Sequence, residues 1–122
     1  MKKHYEKDLG KRLFEFAVRS ITYLKSIKNE PETNVIKYQL SKSSTSSGAN
    51  YEESQAAAST KDFANKINIS LKEMRESNYW FRICTALNLG NQDELKFLLN
   101  ESEELKKILG SISFKTRKQK EK

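Results

Sequence analysis

The chain has 122 residues, 32% of them charged and 36% apolar, with a net charge of +7. That length supports one core and therefore one domain over residues 1–122, and no apolar run approaches the roughly 20 residues of a membrane span or resembles a secretory leader. The single cysteine, Cys84, rules out an internal disulfide and offers no zinc or redox spacing, so the composition suits the reducing cytoplasm.

Charge along the chain is uneven. Lys2, Lys3, Lys7, Lys11 and Arg12 oppose only Glu6 and Asp8, giving +3 over residues 1–12. Lys115, Arg117, Lys118, Lys120 and Lys122 oppose only Glu121, giving +4 over residues 115–122. The 13 basic and 13 acidic residues between them cancel, so the excess lies at the two chain ends.

The first segment places Leu9, Leu13, Phe16, Ala17, Ile21 and Leu24 on one broad face, which predicts a helix over about 6–28. Asn29-Glu-Pro-Glu32 then carries helix-start chemistry, with Pro31 in a first-turn position where its missing amide hydrogen costs little. The stretch that follows, centred on Ser41-Lys-Ser-Ser-Thr-Ser-Ser-Gly48, admits two readings. As a linker, residues 31–58 form a loop of unusual length for a small domain. As a helix over about 31–57, they put Ile36, Leu40, Ser43, Ser47, Tyr51 and Ser54 on one face, with inward hydroxyls bonding the carbonyl four residues back. Propensity opposes the helix, since Gly48 alone costs about 1 kcal/mol relative to alanine.

Ser59-Thr-Lys-Asp62 caps a third segment, 60–88, whose stripe Phe63, Ile67, Ser70, Met74, Ser77, Phe81 and Cys84 alternates large and small residues. Gly90 and Asn91-Gln-Asp-Glu94 open a fourth, 91–115, with an unbroken seam of Leu95, Leu98, Ser102, Leu105, Leu109 and Ile112 before a basic tail at 116–122. Strand alternation is absent, so the fold class is all-α.

Catalytic chemistry finds little support. His4 has no second ligand at metal spacing and reads as solvated. Cys84 falls on an apolar stripe and reads as core. Glu73 and Glu76 share a face but are neutralised by Lys72 and Arg75, and there is no glycine-rich phosphate loop. The expectation is a non-enzyme with no catalytic residue, metal or cofactor. In Tyr79-Trp80-Phe81, only Phe81 lies on the stripe, so Tyr79 and Trp80 point sideways, toward a neighbouring helix, a second subunit or stacked bases. Subunit or bundle packing is the favoured reading.

Several motifs now agree in order: Gln39-Leu40-Ser-Lys42-Ser-Ser-Thr45-Ser46-Ser47-Gly48-Ala49-Asn50-Tyr51-Glu52-Glu53, then Ser59-Thr-Lys61-Asp62-Phe63-Ala-Asn-Lys66-Ile67, then Leu71-Lys72-Glu73-Met74-Arg75-Glu76-Ser-Asn-Tyr79-Trp80. On these residues the chain resembles the bacterial four-helix bundle family that includes the 23S rRNA-intervening sequence proteins. The family usually has arginine where Lys42 stands and a large aliphatic residue where Ser47 stands. The resemblance implies an up-down-up-down bundle assembling into a ring of five, with no catalytic activity. Some relatives are encoded within insertions in large-subunit ribosomal RNA genes. A more distant branch, the accessory variability determinants of diversity-generating retroelements, forms basic pentamers that bind nucleic acid and a reverse transcriptase.

The combined expectation is a left-handed four-helix bundle forming a homopentamer. In that topology the two basic ends meet at one pole, where Lys2, Lys3, Lys7, Lys11, Arg12, Lys115, Arg117, Lys118 and Lys120 would contact RNA or DNA backbone. Tyr79 and Trp80 would sit at the oligomer interface. The alternative is a protein-interaction scaffold, for example one docking a reverse transcriptase, whose basic ends only keep it soluble.

Overall fold

The computed structural model describes the backbone of residues 4–121 and the side chains of residues 8–118. Its helices are α1 (His4–Leu24), α2 (Pro31–Gln55), α3 (Thr60–Ala86) and α4 (Gln92–Glu121). Short connections force successive helices antiparallel. The packed seams are α1 on α2, α2 on α3, α3 on α4 and α4 on α1, and among the described residues no backbone contact crosses either diagonal. This is an all-α four-helix bundle.

Local chemistry sets most helix ends. The Asp62 amide donates to Ser59 Oγ at 3.0 Å, and the Glu94 amide donates to Asn91 Oδ1 at 3.0 Å, as side-chain caps of α3 and α4. At α2 the cap differs from the sequence expectation: it is Glu30, whose amide donates to Thr33 Oγ1 at 3.0 Å. Asn29 instead accepts from Lys37 Nζ at 2.8 Å. α1 stops at Leu24, earlier than expected, where tight turns run through Ile27 and Ser26 Oγ donates to the Tyr23 carbonyl at 2.6 Å. α4 runs to Glu121, so residues 116–121 continue the helix and do not form a separate tail.

The α3–α4 connection turns on Asn88 (φ 54°) and Gly90 (φ 70°). A Cβ at Gly90 would lie 2.7 Å from Ser26 Oγ and 2.9 Å from a Tyr23 ring carbon. Gly90→Ala therefore combines left-handed backbone strain with a clash, and is expected to lower stability by about 2 kcal/mol. Urea unfolding monitored by circular dichroism measures it; a loss below a few tenths would show that the turn relaxes freely.

The serine-rich stretch is continuous helix. Ile36, Leu40, Ser43, Ser47, Tyr51 and Ser54 are all buried, as the helical reading requires. The inward hydroxyls do not all bond back along α2, however. Ser47 Oγ donates to the Ser70 carbonyl at 2.9 Å, Ser70 Oγ returns the bond to the Ser47 carbonyl at 2.7 Å, and Ser77 Oγ donates to Ser43 Oγ at 2.8 Å. Such reciprocal side-chain-to-backbone bonds form only when two helix backbones lie very close. Gly48 performs the same service toward α1, since a Cβ there would meet Leu13 Cβ at 3.3 Å. Small residues let α2 touch both neighbours, and the cross-helix bonds, worth about 1 kcal/mol each, offset its poor propensity.

Candidate nucleic-acid interface

The start of α1, the α2–α3 connection and the end of α4 lie at one end of the bundle. Ser113 Oγ donates to Asn68 Oδ1 at 2.6 Å, seating the last turns of α4 along the beginning of α3. Of the basic residues expected there, Lys11, Arg117 and Lys118 are exposed and Lys115 is half-buried. Lys118 Nζ stands 5.6 Å from the Phe114 ring centroid. Lys2 and Lys3 lie outside the described residues, as do the side chains of Lys7 and Lys120.

Arg12 is used differently from its neighbours. Its Nε and Nη2 donate to the two carboxylate oxygens of Glu101 at 3.1 and 2.7 Å, and Glu104 lies 3.2 Å away. The hydrogen bonds to Glu101 raise the guanidinium pKa against the opposing effect of burial. Two turns on, Arg19 forms the same fork with Glu94 at 2.6 and 2.9 Å and covers the Phe97 ring, which holds the Glu94 carboxyl below the usual range. Arg12 and Arg19 thus close the α1–α4 seam.

Tyr79 is 49% exposed, whereas Trp80 is half-buried against the core and donates to Glu76 Oε1 at 3.4 Å. Their rings meet edge to face at 5.4 Å. A larger apolar surface lies elsewhere, in a groove of about 560 Å³ between α1 and α2. Leu13, Ala17, Ile21 and Gly48 line it, and Phe14 and Val18 stand at its rim, 64% and 51% exposed.

A second cleft, of about 440 Å³, opens between α3 and α4 and is lined by Arg75, Asn78, Arg82, Lys106 and Lys107. Sequence reasoning passed over it, because Arg75 and Arg82 are two turns apart on α3 and meet Lys106 and Lys107 only once α4 is docked. Their seven-residue spacing was the available signal.

Other chemistry is sparse. Among the described residues no group of three or more side chains is placed to hold a metal ion. Cys84 is fully buried and burial pushes its thiol pKa up, which keeps it protonated. Tyr23, pushed up by burial as well, donates its hydroxyl to the Leu89 carbonyl at 2.7 Å. Glu73 and Glu76 are both half-buried on α3, and Glu76 serves Trp80. The His4 side chain lies outside the described residues. No helix among those described is long and apolar enough to cross a membrane.

Comparison with known proteins agrees with this architecture. The family model for the 23S rRNA-intervening sequence protein matches residues 6–111. A crystal structure of a protein of unknown function from the S23 ribosomal protein family of Bacteroides thetaiotaomicron VPI-5482 superposes with a TM-score of 0.77 at 36% identity, over 86% of this chain and 97% of that one. Among curated proteins, none matches the chain.

Proposed function

The chain belongs to the 23S rRNA-intervening sequence protein family, and on that premise we propose that it is a non-enzymatic cytoplasmic module that binds RNA or DNA backbone as a homopentamer. The observation that carries the reading is that the start of α1 and the end of α4 lie at one end of the bundle, where Lys11, Lys115, Arg117 and Lys118 are the described basic residues. A ring repeats that cationic pole five times, and a phosphate backbone answers clustered charge by releasing counterions, whatever its sequence. The exposed apolar groove between α1 and α2 supports self-association through a second copy, with Phe14 and Val18 as its anchors. Tyr79 offers a further exposed ring for the same assembly.

The test is binding of single-stranded RNA at increasing salt. With about four phosphates neutralised per protomer, affinity should fall roughly 50-fold between 50 and 200 mM salt. Deleting residues 115–122 should abolish most of it. Undiminished binding after that deletion overturns the reading and favours a scaffold that docks a protein such as a reverse transcriptase. Native mass measurement tests the ring, and a monomer would remove it.

A further inference from the structure

We propose that the cleft between α3 and α4 is an oxyanion site that takes a phosphate group on the body of the bundle, separate from the basic pole. Asn78 at the cleft is ten residues along α3 from Asn68, which faces the end of α4; at 1.5 Å per residue this separates the two regions by about 15 Å.

The charge census carries the assignment. Of the four cations lining the cleft, Lys106 pairs with Glu103 at 3.0 Å, and that carboxyl is held below its usual range by the Lys106 hydrogen bond and, more weakly, by the nearby Lys107 charge. Among the described residues, Arg75, Arg82 and Lys107 have no carboxylate within ion-pair reach. The contrast with Arg12 and Arg19, each forked onto a glutamate, shows how this bundle treats arginines that serve its own packing. Arg75, Arg82, Lys106 and Lys107 thus share the cleft with the one carboxylate of Glu103, which leaves an excess of positive charge there that an oxyanion would offset.

The floor of the cleft is built for the task. Asn78 is 1% exposed, and its Nδ2 donates to Ser102 Oγ at 3.0 Å, which orients the carboxamide. Its Oδ1 then accepts from Arg82 Nε at 3.2 Å and from Lys106 Nζ at 3.5 Å. One buried amide thus tethers a cation from each helix, and Arg82 keeps its two terminal nitrogens for a planar fork suited to phosphate oxygens. Tyr79 lies beneath the Arg82 guanidinium, with 5.5 Å from its carbon to the ring centroid, and limits its swing. A volume of about 440 Å³ accommodates a phosphate with part of its substituent.

That phosphate belongs either to a nucleic-acid strand or to a free phosphorylated small molecule, and the chemistry of recognition is common to both. The experiment is calorimetric titration of the full chain with pyrophosphate, alone and in the presence of a single-stranded RNA oligonucleotide. The expected result is saturable pyrophosphate binding that weakens at least tenfold in Arg82→Gln and in Lys107→Gln, and is unchanged in Lys118→Gln. Circular dichroism confirms that these surface variants are folded. If the natural source is a strand, pyrophosphate and the oligonucleotide compete, and Arg82→Gln weakens both. If it is a small molecule, the oligonucleotide leaves pyrophosphate binding untouched. Absence of pyrophosphate binding, or equal binding by the Gln variants, overturns the assignment. Oligonucleotide that fails to bind while pyrophosphate binding stays sensitive to Arg82→Gln removes the pole reading and leaves the cleft standing.

Discussion

Ser70→Leu is expected to cost roughly 4 kcal/mol, a large part of the 5–15 kcal/mol that holds a domain together. Ser70 is fully buried between α2 and α3, and it shares a reciprocal pair of hydrogen bonds with Ser47. Three extra carbons have no space on that seam unless the helices separate, and overpacking alone costs about 1–3 kcal/mol. Separation also breaks the Ser47 hydroxyl bond and the Ser77–Ser43 bond, one turn away along α2 and two along α3, each about 1 kcal/mol. Ser70→Ala removes a single hydroxyl and should cost only about 1 kcal/mol. Urea unfolding of the two variants reads the difference directly. Equal costs would mean that the α2–α3 seam is loose enough to absorb a leucine.

Phe81→Ala is expected to be of similar size, about 4 kcal/mol, by the opposite mechanism. The Phe81 ring is fully buried on α3 and reaches α1 through the middle of the bundle, edge to face with Phe16 at 5.8 Å and tilted against Tyr23 at 5.9 Å. Among the described residues no backbone contact joins α1 to α3, and these three rings span that diagonal. Removing one leaves a cavity that rigid helices close only partly, and truncations of this kind cost about 3–5 kcal/mol. Tyr23, which pins the Leu89 carbonyl, loses its neighbour at the same time. Thermal unfolding should show a fall of more than ten degrees, since for a domain of this size each kcal/mol moves the midpoint by several degrees. A fall of under three degrees would indicate that the core collapses around the gap.

The two variants bracket the architecture, since one seam tolerates no added volume and the other no lost volume. Both constraints act at the level of packing, where interiors are close to crystal density. The candidate site inherits this rigidity. Arg82 and Lys106 lie near each other because α3 and α4 are locked by Asn78 and Ser102 at mid-height and by Asn68 and Ser113 near the end.

Local sequence determined a good deal of this. The caps at Ser59 and Asn91, the glycine at position 90 and the unbroken seam from Leu95 to Ile112 each depend on a few neighbouring residues, so they were legible without any knowledge of the fold. The clustering of positive charge at both chain ends was equally plain, because charge is a property of residues alone. Composition left the serine-rich quarter open between linker and helix, since serine and glycine weigh against helix locally. Its helicity comes from Ser70, Ser77 and Leu13 on other helices. Tertiary structure alone decided that Tyr23, Ser20 and Asn78 are buried, that Arg12 turns onto Glu101, and that four cations from α3 and α4 surround one cleft. Caps and seams are short-range and one-dimensional, whereas the partner of a side chain on a neighbouring helix depends on the register and distance between helices, which packing sets.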